Sequence, residues 1–199
     1  MILFNTSFIR KIVLFLSAAV LSISAMATPD FNQAQRLANQ GDADAQYMLG
    51  KMYYQGNGVR QDYSKSASWF EKAANQGGAY AQYILGLMYA KGEGVRQDYS
   101  KSASWFEKAA NQGDADAQTM LGLTYYLGKG VRQDSTKAVQ WYEKAANQGN
   151  AEAQYMLGLM YDEGEGVRQN NVVAKEWFGK SCDNGNQDGC DYYRLLNQK

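Results

Sequence analysis

Apolar positions along this chain follow the spacing of α-helices, and the whole pattern returns every 36 residues. In the first copy, one stretch places apolar residues at i, i+3, i+4, i+7 and i+8, the stripe of an amphipathic helix: Ala45, Met48, Leu49, Met52 and Tyr53. A second helical stretch has two apolar flanks, formed by Ser66, Trp69 and Ala73 and by Tyr63, Ala67, Phe70 and Ala74. Two apolar flanks on one helix require neighbours on both sides, so the pattern predicts stacked helix pairs.

Glycine and aspartate separate these helical stretches. The segment 56–58 (Gly-Asn-Gly) ends the first helix, and Asp62 is placed to cap the second, because its carboxylate can accept hydrogen bonds from the free amides of the first turn. Gly77 is predicted to end the second helix in the left-handed conformation. An interior glycine recurs in each first helix, at Gly50, Gly86, Gly122 and Gly158. Each costs about 1 kcal/mol relative to alanine, so we expect close backbone approach between crossing helices to offset this cost.

The copies begin at Gly41, Gly77, Gly113 and Gly149, and a truncated fifth copy begins at Gly185. The run RQDYSKSASWFEKAANQG occurs at residues 60–77 and recurs unchanged at 96–113. A period of this length is typical of stacked helical arrays, whose function lies on surfaces more often than in buried pockets. We predict four repeats with an N-terminal capping half-repeat at 28–40 and a C-terminal capping helix at 185–199; the repeats are 41–76, 77–112, 113–148 and 149–184.

The motifs A-x-x-x-L-G-x-x-Y, G-x-G-V and W-(F/Y)-x-K resemble the Sel-one-like repeat (SLR) family, a relative of the tetratricopeptide repeats. The matching residues of the first copy are Ala45, Leu49, Gly50, Tyr53, Gly56, Gly58, Val59, Trp69, Lys72, Ala73 and Ala74. The resemblance covers nearly all of residues 41–184. It implies an all-α fold, a right-handed α-solenoid of antiparallel helix pairs whose first helices line a concave face.

The first 27 residues follow a different pattern. Arg10 and Lys11 precede an apolar run from Ile12 to Ala25, and small residues at 25–27 (Ala-Met-Ala) have the spacing of a signal peptidase site. The run is shorter than the roughly 20 residues that span a bilayer. We therefore predict a signal peptide at 1–27, cleaved after Ala27 rather than kept as an anchor. No cysteine follows for lipid attachment, so we expect an exported bacterial protein, periplasmic or secreted.

The two cysteines, Cys182 and Cys190, flank the turn around Gly185. In an exported protein this even count and spacing favour a disulfide across the last hairpin. The eight-residue spacing also resembles the secreted cysteine-rich (Hcp-type) branch of the family, whose members carry such a pair in most repeats. Because only the last hairpin of this chain carries one, the similarity to that branch is the weaker of the two.

The charge balance of the chain bears on two classes of partner. The chain has 20 basic and 20 acidic residues. Residues 1–27 contain two of the basic residues and none of the acidic ones, which leaves 18 against 20 and a net charge of −2 after cleavage. This balance gives no electrostatic reason to expect nucleic acid or anionic lipid as a partner.

The search for chemistry is mostly negative. The chain has no histidine and no Ser-x-x-Lys motif, and the segment 179–181 (Gly-Lys-Ser) lacks the partner glycine of a phosphate-binding loop, since residue 174 is Ala174. Paired carboxylates at helix starts are interpreted as caps that the helix dipole favours: Asp42 with Asp44, and Asp114 with Asp116. We therefore expect no catalytic residues, no metal site and no cofactor.

The outward face of the first helices remains as the candidate site. Its apolar positions form a predicted band of Tyr47, Tyr83, Leu87, Leu123, Tyr126, Tyr155 and Leu159. Tyrosine combines a flat apolar ring with a polar tip, which suits it to holding a peptide or a partner helix. The alternative is that these side chains pack between neighbouring repeats. We expect the four tryptophans to lie in the core: Trp69, Trp105, Trp141 and Trp177.

These observations lead to three hypotheses. The first is an exported, monomeric scaffold that binds a protein or peptide along the band, with no nucleic acid and no membrane insertion after signal cleavage. The second, a β-lactamase-like or cell-wall-directed hydrolase, is implied only by the resemblance to the Hcp-type branch, and no residue above supplies a nucleophile or base for it. The third is a secreted effector that contacts another cell, and only the location of the protein separates it from the first.

Overall fold

The computed structural model describes residues 30–198, and this part of the chain forms ten α-helices and no strands. In chain order the helices are α1 (Phe31–Asn39), α2 (Ala43–Gln55), α3 (Tyr63–Asn75), α4 (Ala79–Lys91), α5 (Tyr99–Asn111), α6 (Ala115–Leu127), α7 (Ser135–Asn147), α8 (Ala151–Glu163), α9 (Asn171–Asp183) and α10 (Gln187–Leu196). Each helix packs against the helices before and after it in the chain. The predicted all-α solenoid of helix pairs is confirmed. The signal peptide predicted at 1–27 lies outside the described residues.

Side-chain caps and glycines set the helix ends as predicted. The Asp62 carboxylate accepts a hydrogen bond from the Lys65 amide at 3.0 Å, and the Asp42 carboxylate accepts one from the Ala45 amide at 2.7 Å. Gly56 ends α2 with φ +74°, and Gly77 follows α3 with φ +96°. These left-handed backbones are inexpensive only for glycine. The residues at which helices begin and end are therefore set by the local sequence.

The interior glycines of the first helices make a different contact from the predicted one. A Cβ atom at Gly86 would lie 2.7 Å from the ring carbons of Phe106, and one at Gly122 would lie 2.8 Å from those of Tyr142. Phe70 and Phe178 cover the equivalent glycines in the first and fourth repeats. An aromatic ring of the second helix, rather than backbone, occupies the space that a methyl group would need.

Close backbone approach occurs instead at the turn glycines that link repeats. A Cβ atom at Gly94 would lie 2.7 Å from the Ser64 amide nitrogen and still closer to the Tyr63 carbonyl. Gly130 and Gly166 meet the start of the preceding repeat's second helix in the same way. In the second, third and fourth repeats, the second glycine of the G-x-G-V motif thus allows one repeat to seat directly on the backbone of the one before it.

A buried glutamine in every first helix also links neighbouring helices, and the sequence analysis missed it. The Gln46 amide nitrogen donates to the Ala38 carbonyl at 3.2 Å, and its amide oxygen accepts from Gln76 at 2.8 Å. Gln76 donates a further bond to the Gly41 carbonyl at 2.9 Å. The Gln-to-Gln or Gln-to-Asn bond recurs along the array as Gln82 with Gln112, Gln118 with Gln148, and Gln154 with Asn184. Because the first-helix glutamines are buried, each needs its partners to avoid a desolvation penalty.

The prediction that the tryptophans lie in the core is wrong, since all four are half-buried. Each packs one side against the core, and a lysine three residues later lies over the ring. The ammonium nitrogens of Lys72, Lys108, Lys144 and Lys180 lie 3.7 to 4.1 Å from the ring centroids of Trp69, Trp105, Trp141 and Trp177. The i, i+3 spacing brings the lysine stem and charge over the indole, so a cation–π contact replaces part of the burial.

Tyr142 is an aromatic position where the third repeat differs from the others, which carry Phe70, Phe106 and Phe178 there. Tyr142 is 0% exposed, and its hydroxyl has no hydrogen-bond partner among the described residues. A buried hydroxyl without a partner costs about 1–3 kcal/mol. We therefore expect Tyr142→Phe to raise the free energy of unfolding by about 1 kcal/mol or more, measured by urea unfolding at pH 7.

The same substitution has a pH signature. Burial raises the pKa of Tyr142 above its ordinary value of 10.0, with smaller contributions from Glu152 and Tyr126. The fold therefore favours the protonated phenol. Below pH 10 the phenol is protonated in both the folded and the unfolded protein, so it gives no pH dependence there; above pH 10 the unfolded chain ionises first and the free energy of unfolding of the parent protein falls. The stability difference between Tyr142→Phe and the parent protein should widen from pH 9 to pH 11. A difference that stays constant or narrows over this range would contradict the burial of the hydroxyl.

Candidate binding face

The candidate face is the side of α2, α4, α6 and α8 that carries the predicted band, called here the first-helix face. All seven band residues are half-buried. Tyr47 packs against the core around Leu85, Tyr83 and Leu87 pack against the core around Leu121, and Leu123 and Tyr126 pack against the core around Leu157. These side chains therefore contribute to packing between repeats while part of each remains accessible.

A cleft of about 310 Å³ opens on this face between α2 and α4. Two band residues, Tyr47 and Leu87, line it together with Phe70 and Met88 at its base. The other lining residues are Lys51, Tyr54, Gln55, Tyr80, Ile84, Lys91 and Glu93. The structure thus brings one tyrosine and one leucine of the band into a single concave, largely apolar site.

Three tyrosine rings form a continuous row beside this cleft. The centroids of Tyr47 and Tyr80 lie 5.6 Å apart with an edge-to-face orientation, and those of Tyr80 and Tyr83 lie 5.9 Å apart. Burial, with a smaller contribution from Tyr80, raises the pKa of Tyr47. Tyr80 is 49% exposed. A second, smaller cleft of about 260 Å³ lies on the other side of Tyr47 and Tyr80 and includes Asp44.

A hydrogen bond between repeats shapes the opposite end of the cleft. The Tyr54 hydroxyl donates to the Glu93 carboxylate at 2.8 Å, and the Lys91 ammonium lies 3.8 Å from the same carboxylate group. The bond to Glu93, followed by burial, raises the pKa of Tyr54 to about 12. The nearby Glu165 carboxylate likewise raises the pKa of Tyr126. Both contacts join the end of one first helix to the turn of the next repeat.

The remaining band residues lie at the C-terminal end of the face. The Tyr155 ring is 5.9 Å from that of Phe178 and 5.7 Å from that of Tyr192, which belongs to α10. Leu159 is half-buried on α8. None of the band residues at this end lines the cleft between α2 and α4. The structure therefore brings Tyr47 and Leu87 together, but it does not gather all seven residues into one pocket.

The edge of the face at which the first helices begin is acidic. Asp116 accepts a hydrogen bond from Asn150 at 2.9 Å, and Glu152 accepts one from Asn186 at 3.1 Å. Asp44 and Asp188 occupy the same position in their copies, and Tyr80 stands there in the second repeat. The second repeat is therefore the place where this acidic row is interrupted by an exposed aromatic ring.

The predicted band does not include six residues that line the cleft: Lys51, Tyr54, Tyr80, Ile84, Lys91 and Glu93. The predicted band was selected by apolar character at surface positions within each helix. The sequence pattern places Lys51, Tyr54 and Tyr80 on the outward face but outside the band, whereas it does not assign Ile84, Lys91 or Glu93 to that face. A comparison of the first two copies position by position would have found them, because they lie where those copies differ.

The last hairpin holds the other predicted pair. The sulfur atoms of Cys182 and Cys190 lie at disulfide-bonding distance, with Cα atoms 4.4 Å apart. This pair connects α9 with α10 and is remote from the cleft in sequence. No helix within residues 30–198 has the length and apolar character needed to cross a membrane.

Four consecutive segments of the chain match the model of the Sel1 repeat family, at residues 43–78, 79–114, 115–150 and 151–186. Each segment begins two residues after the corresponding predicted repeat. Among curated proteins, the chain is 40% identical over 55 residues to the secretory immunoglobulin A-binding protein EsiB of Escherichia coli O6:H1 strain CFT073, a match that covers 28% of this chain and 11% of EsiB.

Two solved structures extend this likeness. The crystal structure of c5321, a protective antigen of uropathogenic Escherichia coli with an SLR fold, aligns with a TM-score of 0.80 and 41% identity over 82% of this chain and 35% of that one. Helicobacter pylori cysteine rich protein B aligns with a TM-score of 0.54 and 26% identity over 69% of this chain and 98% of that one. The chain thus spans about a third of the antigen and a ninth of EsiB.

Proposed function

Because this chain belongs to the Sel1 repeat family, we propose that it is an exported scaffold that binds a protein or a peptide along the first-helix face. Sel1 repeat proteins generally mediate protein–protein interactions. The similar Escherichia coli proteins are named as an immunoglobulin A-binding protein and as a protective antigen, which supports a role in contact with other proteins outside the cytoplasm.

The observation that carries this proposal is the cleft between α2 and α4. Tyr47 and Leu87 share it with an apolar base, while the tyrosine row continues to the exposed Tyr80. Concave apolar sites with a few polar groups are the usual form of binding sites, and tyrosine is enriched among residues that dominate binding energy. A face built this way can bury the side chains of a partner without rearranging the core.

Export is supported by two independent features. The leader predicted at residues 1–27 has the pattern of a cleavable signal peptide. The pairing of Cys182 with Cys190 suits an oxidising compartment, because disulfides persist there and are rare in the cytosol. Periplasm and extracellular medium both meet this condition, and fractionation of the native cells separates the periplasmic scaffold from the secreted effector.

We propose further that the scaffold is not an enzyme. The Sel1 repeat family consists mostly of non-enzymatic scaffolds, and the chain has no histidine to serve as base for a serine or cysteine nucleophile. Turnover of the β-lactam nitrocefin by the purified mature protein, at rates well above solvent, would overturn this and favour the hydrolase.

The double variant Tyr83→Ser/Tyr155→Ser tests the first-helix face. We expect it to weaken binding of the captured partner at least about tenfold, since interface tyrosines commonly contribute more than about 1 kcal/mol each. The partner is first captured from the native envelope with the mature protein as bait, identified, purified and then titrated against both proteins. Far-UV circular dichroism should remain that of a helical protein.

The matched control is Tyr63→Ser/Tyr99→Ser, which removes two exposed tyrosines from the second helices. It should bind the purified partner like the parent protein. Because Tyr83 and Tyr155 are half-buried, Tyr83→Phe/Tyr155→Phe is compared as well, since it keeps the ring packing and removes only the hydroxyls. Undiminished binding by the folded serine variant would exclude the band as the binding surface.

A further inference from the structure

The first two repeats provide a comparison within the molecule, because they are nearly identical. Copies 41–76 and 77–112 carry the same residues throughout the second helix and its preceding turn residues 59–62. They differ at seven of 36 positions, all in the first helix or the turns beside it: 42/78, 44/80, 48/84, 51/87, 54/90, 55/91 and 57/93. The second helices are thus identical in the two copies, while the first helices and the adjoining turns differ.

The positions that differ converge on one place in the fold. Six of the seven contribute at least one side chain to the 310 Å³ cleft between α2 and α4, and the seventh, through Gly78, lies beside the smaller cleft. The contributing residues are Lys51, Tyr54, Gln55, Tyr80, Ile84, Leu87, Lys91 and Glu93. Packing alone does not require this divergence, because both copies build the same helix pair.

No other pair of repeats can build the same lining. The position of Tyr80 is acidic in the third and fourth repeats, at Asp116 and Glu152. The position of Lys51 is leucine in all three later repeats, and that of Lys91 is Leu127 and then Glu163. The cleft between the first and second repeats is therefore a singular site in a repetitive molecule, and its chemistry is set by these substitutions.

The shape of the cleft suits one large apolar side chain. Its base contains Phe70, 3% exposed, and Met88, 1% exposed, and Ile84 adds further apolar lining. The ring of Tyr80 stands at the boundary shared with the smaller cleft, where it contacts Tyr47. A volume of about 310 Å³ accommodates an aromatic or long aliphatic side chain and part of its backbone, but not a folded domain.

The charges of the lining select the neighbours of that side chain. The exposed Lys51 has no carboxylate within ion-pair distance among the described residues, whereas Glu93 already accepts from Tyr54 and lies beside Lys91. This end of the cleft carries two ammonium groups, from Lys51 and Lys91, and one carboxylate, from Glu93, so its net charge is positive. The end nearer Asp44 is acidic, so a ligand with its negative charge on the Lys51 side is favoured over the reverse orientation.

We propose that this cleft recognises a peptide segment in which acidic residues flank a bulky apolar side chain. The apolar side chain is buried over Phe70 and Met88 beside Tyr80, and a carboxylate pairs with the Lys51 ammonium. This inference rests on the proposed scaffold function and names the chemistry of one of its subsites.

Fluorescence anisotropy with short labelled peptides tests the assignment. The probe is fluorescein-Gly-Ser-Phe-Glu-Glu-Ser-Gly, compared with peptides in which alanine replaces phenylalanine or lysine replaces both glutamates. We expect the alanine and lysine peptides to bind at least about tenfold more weakly than the probe, because each loses a buried ring or reverses the charge facing Lys51. Equal binding of the three peptides, or no binding of the probe, overturns the proposal.

Two substitutions borrowed from the other repeats locate the site. Tyr80→Asp installs the residue that the first and third repeats carry there, and Lys51→Leu installs that of the later repeats, so both are compatible with the helix pair. We expect Tyr80→Asp to weaken probe binding about tenfold or more, and Lys51→Leu about two- to fivefold, an effect that disappears at high salt. Lys129→Leu removes an exposed lysine outside the cleft and should bind the probe normally.

The outcomes separate this inference from the proposed function. Normal probe binding by folded Tyr80→Asp overturns the cleft assignment. Absence of probe binding together with a purified partner that still depends on Tyr83 and Tyr155 overturns the cleft assignment and leaves the scaffold function standing. Circular dichroism and thermal unfolding of each variant exclude loss of the fold as the cause.

Discussion

Gly94→Ala is expected to lower the free energy of unfolding by about 2–5 kcal/mol. Gly94 has φ +72°, and an L-residue in the left-handed region costs about 1–2 kcal/mol. The added Cβ would also meet the Tyr63 carbonyl and the Ser64 amide, which belong to backbone and cannot rotate away. Forcing an additional methyl group into a filled site costs about 1–3 kcal/mol more. Urea unfolding of the purified mature protein measures the sum.

The chain contains a matched control for this substitution. Gly58 occupies the same position in the first repeat, with φ +71°. The nearest atom to a Cβ added there is the Phe31 Cβ, at 3.7 Å. Gly58→Ala should therefore carry only the backbone cost of about 1–2 kcal/mol. The difference between the two variants isolates the contact between repeats. Equal losses for Gly58→Ala and Gly94→Ala would show that the two repeats do not seat on each other in this way.

Removal of the disulfide is expected to have the second largest effect on stability, confined to the C-terminal end. Cys182→Ser/Cys190→Ser should reduce the stability of the last hairpin by about 2–3 kcal/mol, the chain-entropy contribution of a crosslink that closes a short loop. Among the described residues, the main contacts of α10 are with α9 and, to a smaller extent, α8, so it has few other interactions to hold it. Hydrogen exchange should accelerate in α10 and the end of α9, with little change in α5 and α6.

Reduction of the parent protein provides the control for this variant. A thiol reductant should reproduce the exchange pattern of the double serine variant and leave the variant itself unchanged. Exchange in α10 that is equally slow with and without the bond would mean that packing of α10 alone holds the hairpin. A uniform acceleration through α2 to α9 would instead contradict the local character expected of a solenoid, in which each repeat contacts only its neighbours.

Local features of the fold were predictable from sequence because they depend on a few adjacent residues. The helix stripe at Ala45, Leu49 and Tyr53 is confirmed as buried, and the cap at Asp62 and the left-handed Gly77 are found where the pattern predicts them. Each follows from helix periodicity, from the unpaired amides of a helix start, or from the freedom of glycine. The repeat multiplies these signals, which makes the family assignment secure.

Side-chain contacts outside the helix ends were predicted less well. The close approach expected at Gly50 proved to be with the Phe70 ring, and the backbone contact lies at Gly94 instead. The tryptophans were expected in the core because indole is large and apolar, yet lysines such as Lys72 share the covering of Trp69 with the protein interior. Periodicity reports which side of a helix is apolar, but it does not report which atoms cover that side.

The amino-acid sequence by itself determined the helices, their ends, the 36-residue period and the family, because these depend on interactions within a few turns of chain. Only the tertiary structure decided that Lys51, Tyr80 and Glu93 share one cleft, since they come from two repeats and meet through the stacking of α2 and α4. Stacking of the repeats places residues from different copies on one continuous surface. On that surface, a few substitutions between nearly identical copies create a distinct site that neither copy contains alone.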